Sequence, residues 1–440
     1  MTTPTVTLSD GVTTAILSSG NVVLEKYDFE SGTWDPRTDQ VAPVTETMTL
    51  VLTGTTAQNS SLLQTIEQLL RQAADTFAGI SAEPRVYLNI TMPQDASSWR
   101  SRVHAGQVLI DNDSMDAWSR KPRVQVSIER EGCWSGARVQ IPLTNTHGTN
   151  NTSGLAVYNC NDSTYDNYVD IAAASVAGSI PAPVEIRMQN GTGSSQPYTH
   201  FAWASDWTSP AISFALEGEN GQFSIPTVTS VSTAGNGQVG TFALAANTVS
   251  LISWPLPATW MSAGRGGVAH VWGLLASSPP SNLRVQLAIR DYYNLVELWK
   301  GSWLDWGPFR VGYLGTVRVP PVGYSTGWSQ LNLVAGFVTP LASGISLDHI
   351  QLMPVGSFRL VEQRGMLVLS DDWVVDDGIE GITYLIEGGN FHPIYNTRTR
   401  PLLIAPNRAQ RLRFMVGANS VTGRQRTNVQ IFYRPRRLSL

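Results

Sequence analysis

The sequence predicts a mainly β fold: an N-terminal β-sandwich with one α-helix, then a jelly-roll β-sandwich, then a C-terminal β segment. Three observations carry that expectation. The stretch VQVSIEREGCWSGARVQIPL, Val124 to Leu143, alternates apolar and polar residues with period two. Short runs of strand-forming residues then recur at intervals of about 8–12 residues with no long helix between them. Only Leu62 to Phe77 carries apolar residues at helical spacing.

Taken in order, Thr5 to Leu8, Asn21 to Tyr27 and Thr45 to Leu52 read as strands separated by Gly, Asp and Pro turns. The helix, placed at 59–78, puts Leu62, Leu63, Ile66, Leu69, Leu70, Ala73, Ala74 and Phe77 on one face. Asn59 or Ser60 is expected to cap its start, and Gly79 stands where a left-handed residue ends helices. Strands resume at Arg85 to Thr91, Trp99 to Ile110 and Pro122 to Glu129. In the Val124–Leu143 stretch, Glu131-Gly132 breaks the alternation and Cys133-Trp134 places a large aromatic at the break. Val139 and Ile141 then resume it. Cys133 and Trp134 are therefore expected to form a structural corner where the first domain, 1–145, ends.

The second domain, 146–365, begins with Leu155 to Asn159, Tyr168 to Ala172 and Val184 to Gln189. Its strands run on through Phe201 to Ser205, Val249 to Leu256, Gly267 to Leu275 and Leu283 to Ile289. Leu295 to Trp299, Phe309 to Val319, Trp328 to Phe337 and Ser346 to Pro354 follow. Spacing and turn residues suit a jelly roll. The last segment, 366–440, changes in charge. Acidic residues end at Glu387, and the remainder carries ten arginines from Arg398 to Arg437, many on alternating strands. It is expected to complete a sandwich or to contact a partner.

Composition narrows the function classes. The chain has 440 residues, long enough for two or three domains. Thirty Lys+Arg against 34 Asp+Glu give a net charge of −4, no electrostatic case for nucleic acid or an anionic membrane. No run reaches the ~20 apolar residues of a membrane-spanning helix. The N-terminus MTTPTVTLSDG has no basic or apolar leader, so synthesis in a cytoplasm is expected. Two cysteines, Cys133 and Cys160, are too few for a disulfide framework; one bridge is the alternative to the two buried free thiols expected.

Motifs for chemistry are weak. Gly235-Asn-Gly237-Gln-Val-Gly240 fits a dinucleotide fingerprint, but the following residues are β-formers where a helix is required. Asp111-Asn-Asp113-Ser-Met-Asp116 resembles the start of a calcium loop without its Gly or its closing Glu. Asp371/Asp372 and Asp376/Asp377 could supply an acid and a base for glycoside hydrolysis, but adjacent residues of a strand face opposite ways. The six histidines have no metal-ligand spacing, and G-x-S-x-G is absent. The expectation is a protein without catalysis, cofactor or metal.

The tryptophans are the strongest candidates for a binding role. Trp254, Trp260, Trp272, Trp299, Trp303, Trp306 and Trp328 crowd the second domain. Such residues fill β cores, or stack on sugar rings when exposed. Trp303-Leu-Asp305-Trp306 lies in a loop-like stretch, which makes Trp303 and Trp306 the candidates for carbohydrate or partner contact.

The N-terminal unit resembles the distal tail proteins of long-tailed bacteriophages. The lone helix Leu62 to Phe77, the extended segments Arg85 to Ile90 and Trp99 to Ile110, and the corner Glu129-Arg130-Glu131-Gly-Cys-Trp134 carry the resemblance. Leu331 to Val338 and Leu347-Asp348-His-Ile350-Gln-Leu352-Met-Pro354 resemble late strands of a galectin- or carbohydrate-binding-module-like sandwich. The resemblance implies a virion structural protein of the tail tip or baseplate, made in the bacterial host cytoplasm. It would form a ring, commonly a hexamer, at the end of the tail tube and link it to hub, fibres and host-recognition components. The alternative is a lectin-like receptor-recognition protein that binds a host surface glycan without catalysis.

Overall fold

The computed structural model describes residues 4–35, 40–93, 98–110, 121–146, 148–149, 154–160, 165–190, 196–206, 215–221, 227–230, 234, 237–256, 268–291, 296–318, 331–354, 357–368, 372–394, 400–418 and 426–440. The fold is mainly β: of the described residues, 59% lie in strands and 9% are helical, arranged in antiparallel sheets with one α-helix. The chain divides into two compact units. Unit 1 comprises Met1–Val139, Ala177–Ala182 and Arg434–Leu440; unit 2 comprises Gln140–Val176 and Pro183–Tyr433.

Unit 1 is a sheet in the order Thr14–Ile16, Thr5–Ser9, Tyr87–Thr91, Ser98–Ile110, Arg123–Arg130, Val44–Leu52, Val22–Asp28. Alternation explains which face is buried. Met48, Leu50 and Leu52 point the same way as Val124, Val126 and Ile128 on the paired strand, and all six are buried. The helix Thr56–Phe77 supplies Leu63, Ile66, Leu69, Leu70 and Ala73 to the same core. Its cap lies earlier than Asn59 or Ser60. Thr55 accepts a hydrogen bond from the Gln58 backbone N–H while the Gln58 side chain accepts from the Thr55 N–H, a reciprocal capping box. Asn59 sits inside the helix, buried, donating to the Gly54 carbonyl at 3.1 Å. At the other end Gly79 adopts φ +72°, the left-handed conformation that glycine takes without steric cost.

Residues 366–440 contribute strands to both units. In unit 1, Arg436–Arg437 pairs with Trp134–Ser135. In unit 2, Gln410–Ala418 and Arg426–Tyr433 are interior strands of two different sheets.

Unit 2 contains two sandwiches. The first faces the sheet Arg426–Tyr433, Ala182–Asn190, Trp373–Asp377, Ile382–Glu387, Asn390–Pro393 against the sheet Tyr168–Ile171, Gln410–Ala418, Gln196–Asp206, Ser357–Val368. Val157, Ile186, Val429 and Ile431 of one meet Val169, Trp203, Leu412 and Phe414 of the other. The second sandwich faces Gln238–Leu244, Ser343–Pro354, Val268–Leu275, Val311–Arg318 against Ser250–Pro255, Leu331–Val338, Arg284–Asp291, Glu297–Lys300. Its core runs from Phe242 and Trp254 through Val285, Ile289 and Leu333 to Leu352.

Candidate functional site

The corner at Glu131–Trp134 is built around a buried charge. Along Arg123–Arg130, the position after Val124, Val126 and Ile128 on the inward face is Arg130, which is fully buried. The facing strand repeats the exception: Glu46 precedes Met48, Leu50 and Leu52 on its inward face and is fully buried too. The two form an ion pair. Arg130 also donates to the carbonyls of Glu30 at 2.9 Å and Glu131 at 2.7 Å, and its guanidinium lies 4.2 Å over the Trp134 ring. Glu46 accepts from the Tyr27 hydroxyl at 2.5 Å and the Glu30 N–H at 3.0 Å. Burial, reinforced by the Glu46 charge, pushes the Tyr27 phenol above its usual range. Both terminal nitrogens of Arg130 and both oxygens of Glu46 have partners, which is how a buried charge is tolerated; Arg130 Nε alone of these atoms has none.

Gly132 lets the corner close. A Cβ there would stand 1.9 Å from the Ala42 carbonyl oxygen. Beside it Cys133 is buried, and Arg436 donates to its Sγ at 3.1 and 2.8 Å while also pairing with Glu131. Burial, with the Glu131 charge, pushes the Cys133 thiol up to about 12, against the pull of Arg436. The thiolate is the reactive form, so Cys133 is expected to resist alkylation in the folded protein at pH 8 and to react on denaturation. Rapid labelling of the native protein, located by peptide mapping, would contradict this placement.

The two candidate tryptophans separate. Trp306 is 3% exposed and belongs to the core of the second sandwich of unit 2, its Nε1 donating to the Phe309 carbonyl at 2.9 Å. Gly273 and Gly312 make room for it: a Cβ at either would come within 2.3 and 2.7 Å of the indole. From this position its face cannot stack on a sugar. Trp303 is half-buried, with the Arg284 guanidinium 5.7 Å from its ring centre. Of the others, Trp254 and Trp272 are buried and Trp299 packs partly against the core; Trp260 and Trp328 lie outside the described residues.

The weak motifs are placed as follows. Gly237 takes φ +84° in a turn, and the strand Gln238–Leu244 follows it where a nucleotide fingerprint needs a helix. Asp376 is held by Arg359 through two bonds of 2.8 and 2.6 Å and by the Thr383 hydroxyl at 2.7 Å. Asp377 instead accepts from the N–H groups of Ile379 and Glu380, closing a turn. Asp371 and the Asp111–Asp116 stretch lie outside the described residues. Among the described residues no group of three His, Cys, Asp or Glu is placed to hold a metal ion, and no helix is long and apolar enough to cross a membrane.

Several of the described C-terminal arginines make contacts within their own unit. Arg411 makes two bonds to Asp170, 2.7 and 2.8 Å, with its guanidinium 3.5 Å from the centre of the Tyr168 ring. Arg434 donates to the Gly136 carbonyl, and Arg437 lies 3.5 Å from the centre of the Trp99 ring.

What unit 1 offers to a partner is apolar surface. Val12 is 87% exposed, Ile80 79% and Phe77 52%. Gln72 of the helix bonds to Asp10, which ties the turn carrying Val12 to the helix. Phe77 is held by stacking on His104 at 4.0 Å, with Arg102 5.6 Å from its ring centre.

No protein-family profile and no curated protein matches the chain. Among solved structures it is similar to a chain of the phage P2 baseplate in its activated conformation with Ca, at 6% identity and a TM-score of 0.33, over 99% of this chain and 98% of that one. A chain of the phage p2 baseplate in its activated conformation with Sr aligns at 7% identity and a TM-score of 0.34, over 98% of each chain.

Proposed function

We propose that this chain is a bacteriophage virion structural protein of the tail tip or baseplate, acting by assembly and without catalysing a reaction. Unit 1 forms a ring at the end of the tail tube, and unit 2 carries contacts to other tail proteins and to host-recognition components. The observation that carries this reading is the exposed apolar set Val12, Phe77 and Ile80 on a body whose interior is fixed by the buried Arg130–Glu46 pair. Exposed apolar residues on a rigid frame are what an oligomer interface requires, and stable interfaces bury on the order of 1,200–2,000 Å². The residues that resemble distal tail proteins, Leu62 to Phe77, Arg85 to Ile90, Trp99 to Ile110 and Glu129 to Trp134, all fall in unit 1.

Native mass measurement and negative-stain imaging of the purified protein test the ring. A closed oligomer is expected, dispersed by Ile80→Asp with Phe77→Ser. A strict monomer that binds sugars on a glycan array, and loses that binding with Trp303→Ala, would replace this reading by the lectin-like one.

A further inference from the structure

Between the two sandwiches of unit 2 runs a seam that differs in chemistry from the cores on either side. His200, on the strand Gln196–Asp206, stacks on Trp272 of Val268–Leu275 with ring centres 5.0 Å apart. His270, two residues earlier on that strand, stacks on Phe358 of Ser357–Val368 at 3.7 Å and shares a 2.8 Å hydrogen bond with the Tyr313 hydroxyl. Asn167 of the first sandwich donates to the Gln351 side chain of the second at 2.6 Å. His200 fits closely: its ring fills the space a Cβ on Gly417 would occupy, 1.8 Å away. Flat rings laid face to face across two sheets are well packed while uncharged, and a charge there is taken out of water.

We propose that this seam is an acid-sensitive latch: two uncharged imidazoles join the sandwiches of unit 2 near neutral pH, and their protonation parts the sandwiches while leaving both cores folded. Each imidazole takes one proton from solvent. Burial holds His200 and His270 down to about 4, whereas a solvated imidazole titrates near 6.5. Between those values the parted form binds more protons than the closed form, so closure weakens as the pH falls through that window. The other charged groups at the seam do not replace this step. Arg413, fully buried on the same strand face as Gly417, keeps its charge throughout. On the second sandwich, His349 faces Asp348, Glu217 and Glu219; burial lowers it, but these acids more than offset that and raise it. It is therefore already charged when the latch begins to open. Glu362 is the cross-strand neighbour of His200, and Thr316 and Met353 are those of His270.

The test uses the full chain with spin labels at Val249→Cys and Asn390→Cys, exposed positions on the second and first sandwich respectively; Cys133 and Cys160 are buried. The label-to-label distance is expected to hold from pH 8 to 6 and to lengthen below about pH 5, with far-ultraviolet circular dichroism unchanged. Adding His200→Gln and His270→Gln is expected to move that transition at least one pH unit lower. An unchanged distance down to pH 4, or the same midpoint with both histidines replaced, would overturn the proposal. Should the double variant not fold, the parent decides by the slope of its opening free energy with pH. Uptake of about two protons supports the latch, and uptake near zero refutes it. The result is independent of whether unit 1 forms a ring.

Discussion

Replacing Glu46 with alanine is expected to destabilise unit 1 by about 3–5 kcal/mol, the cost of leaving a buried charge without its partner. Arg130 would keep its bonds to the Glu30 and Glu131 carbonyls and its place over Trp134, but would face a void where the carboxylate stood. The guanidinium cannot shed its proton, so no pKa change relieves it. Tyr27 and the Glu30 N–H would lose their acceptor at the same time. The reverse change, Arg130→Met with Glu46 retained, is expected to cost less, because a lone carboxyl can protonate. The paired change Glu46→Leu with Arg130→Met removes both charges and is expected to recover most of the loss. Hydrogen exchange of Val44–Leu52 and Arg123–Arg130 reads the effect within unit 1. Equal costs for Glu46→Ala and the paired change would show that the ion pair does not set the stability of this corner.

Trp306→Ala is expected to cost about 3–5 kcal/mol in the second sandwich of unit 2, the range for truncating a buried aromatic. Gly273 and Gly312 have no side chains with which to fill the space, and Phe337 would lose its aromatic neighbour. Trp303→Ala, at a half-buried position, is expected to cost under about 1.5 kcal/mol. Thermal melts of the two variants compare them directly. A Trp306 variant as stable as the parent would remove Trp306 from the core, and with it the argument that Trp303, of these two, is the one able to meet a ligand.

Alternation and helical spacing made much of this fold legible. The inward faces of Val44–Leu52 and Arg123–Arg130, the helix over Leu62 to Phe77 and its end at Gly79 all follow from period and glycine chemistry. The helix start was legible as well, since Thr55 and Gln58 stand three apart as a capping box requires; Asn59 and Ser60 obscured it as equally good cap formers. The Arg130–Glu46 pair left a signal in each strand, a charge in phase with three apolar residues. Neither strand names the other, however, because period fixes the face and not the partner. The pairing of Trp134–Ser135 with Arg436–Arg437 bridges some 300 residues and has no local trace. The tryptophans show the same limit. Trp303 and Trp306 share one polar stretch, and their different fates depend on Gly273 and Gly312, which reveal nothing until the strands are placed side by side.

The most direct test of the assembly role is electron microscopy of the phage particle with this chain carrying a density or antibody label. The label is expected at the tail tip, in a ring concentric with the tail tube. Label confined to another part of the particle, or purified particles without the chain, would contradict it.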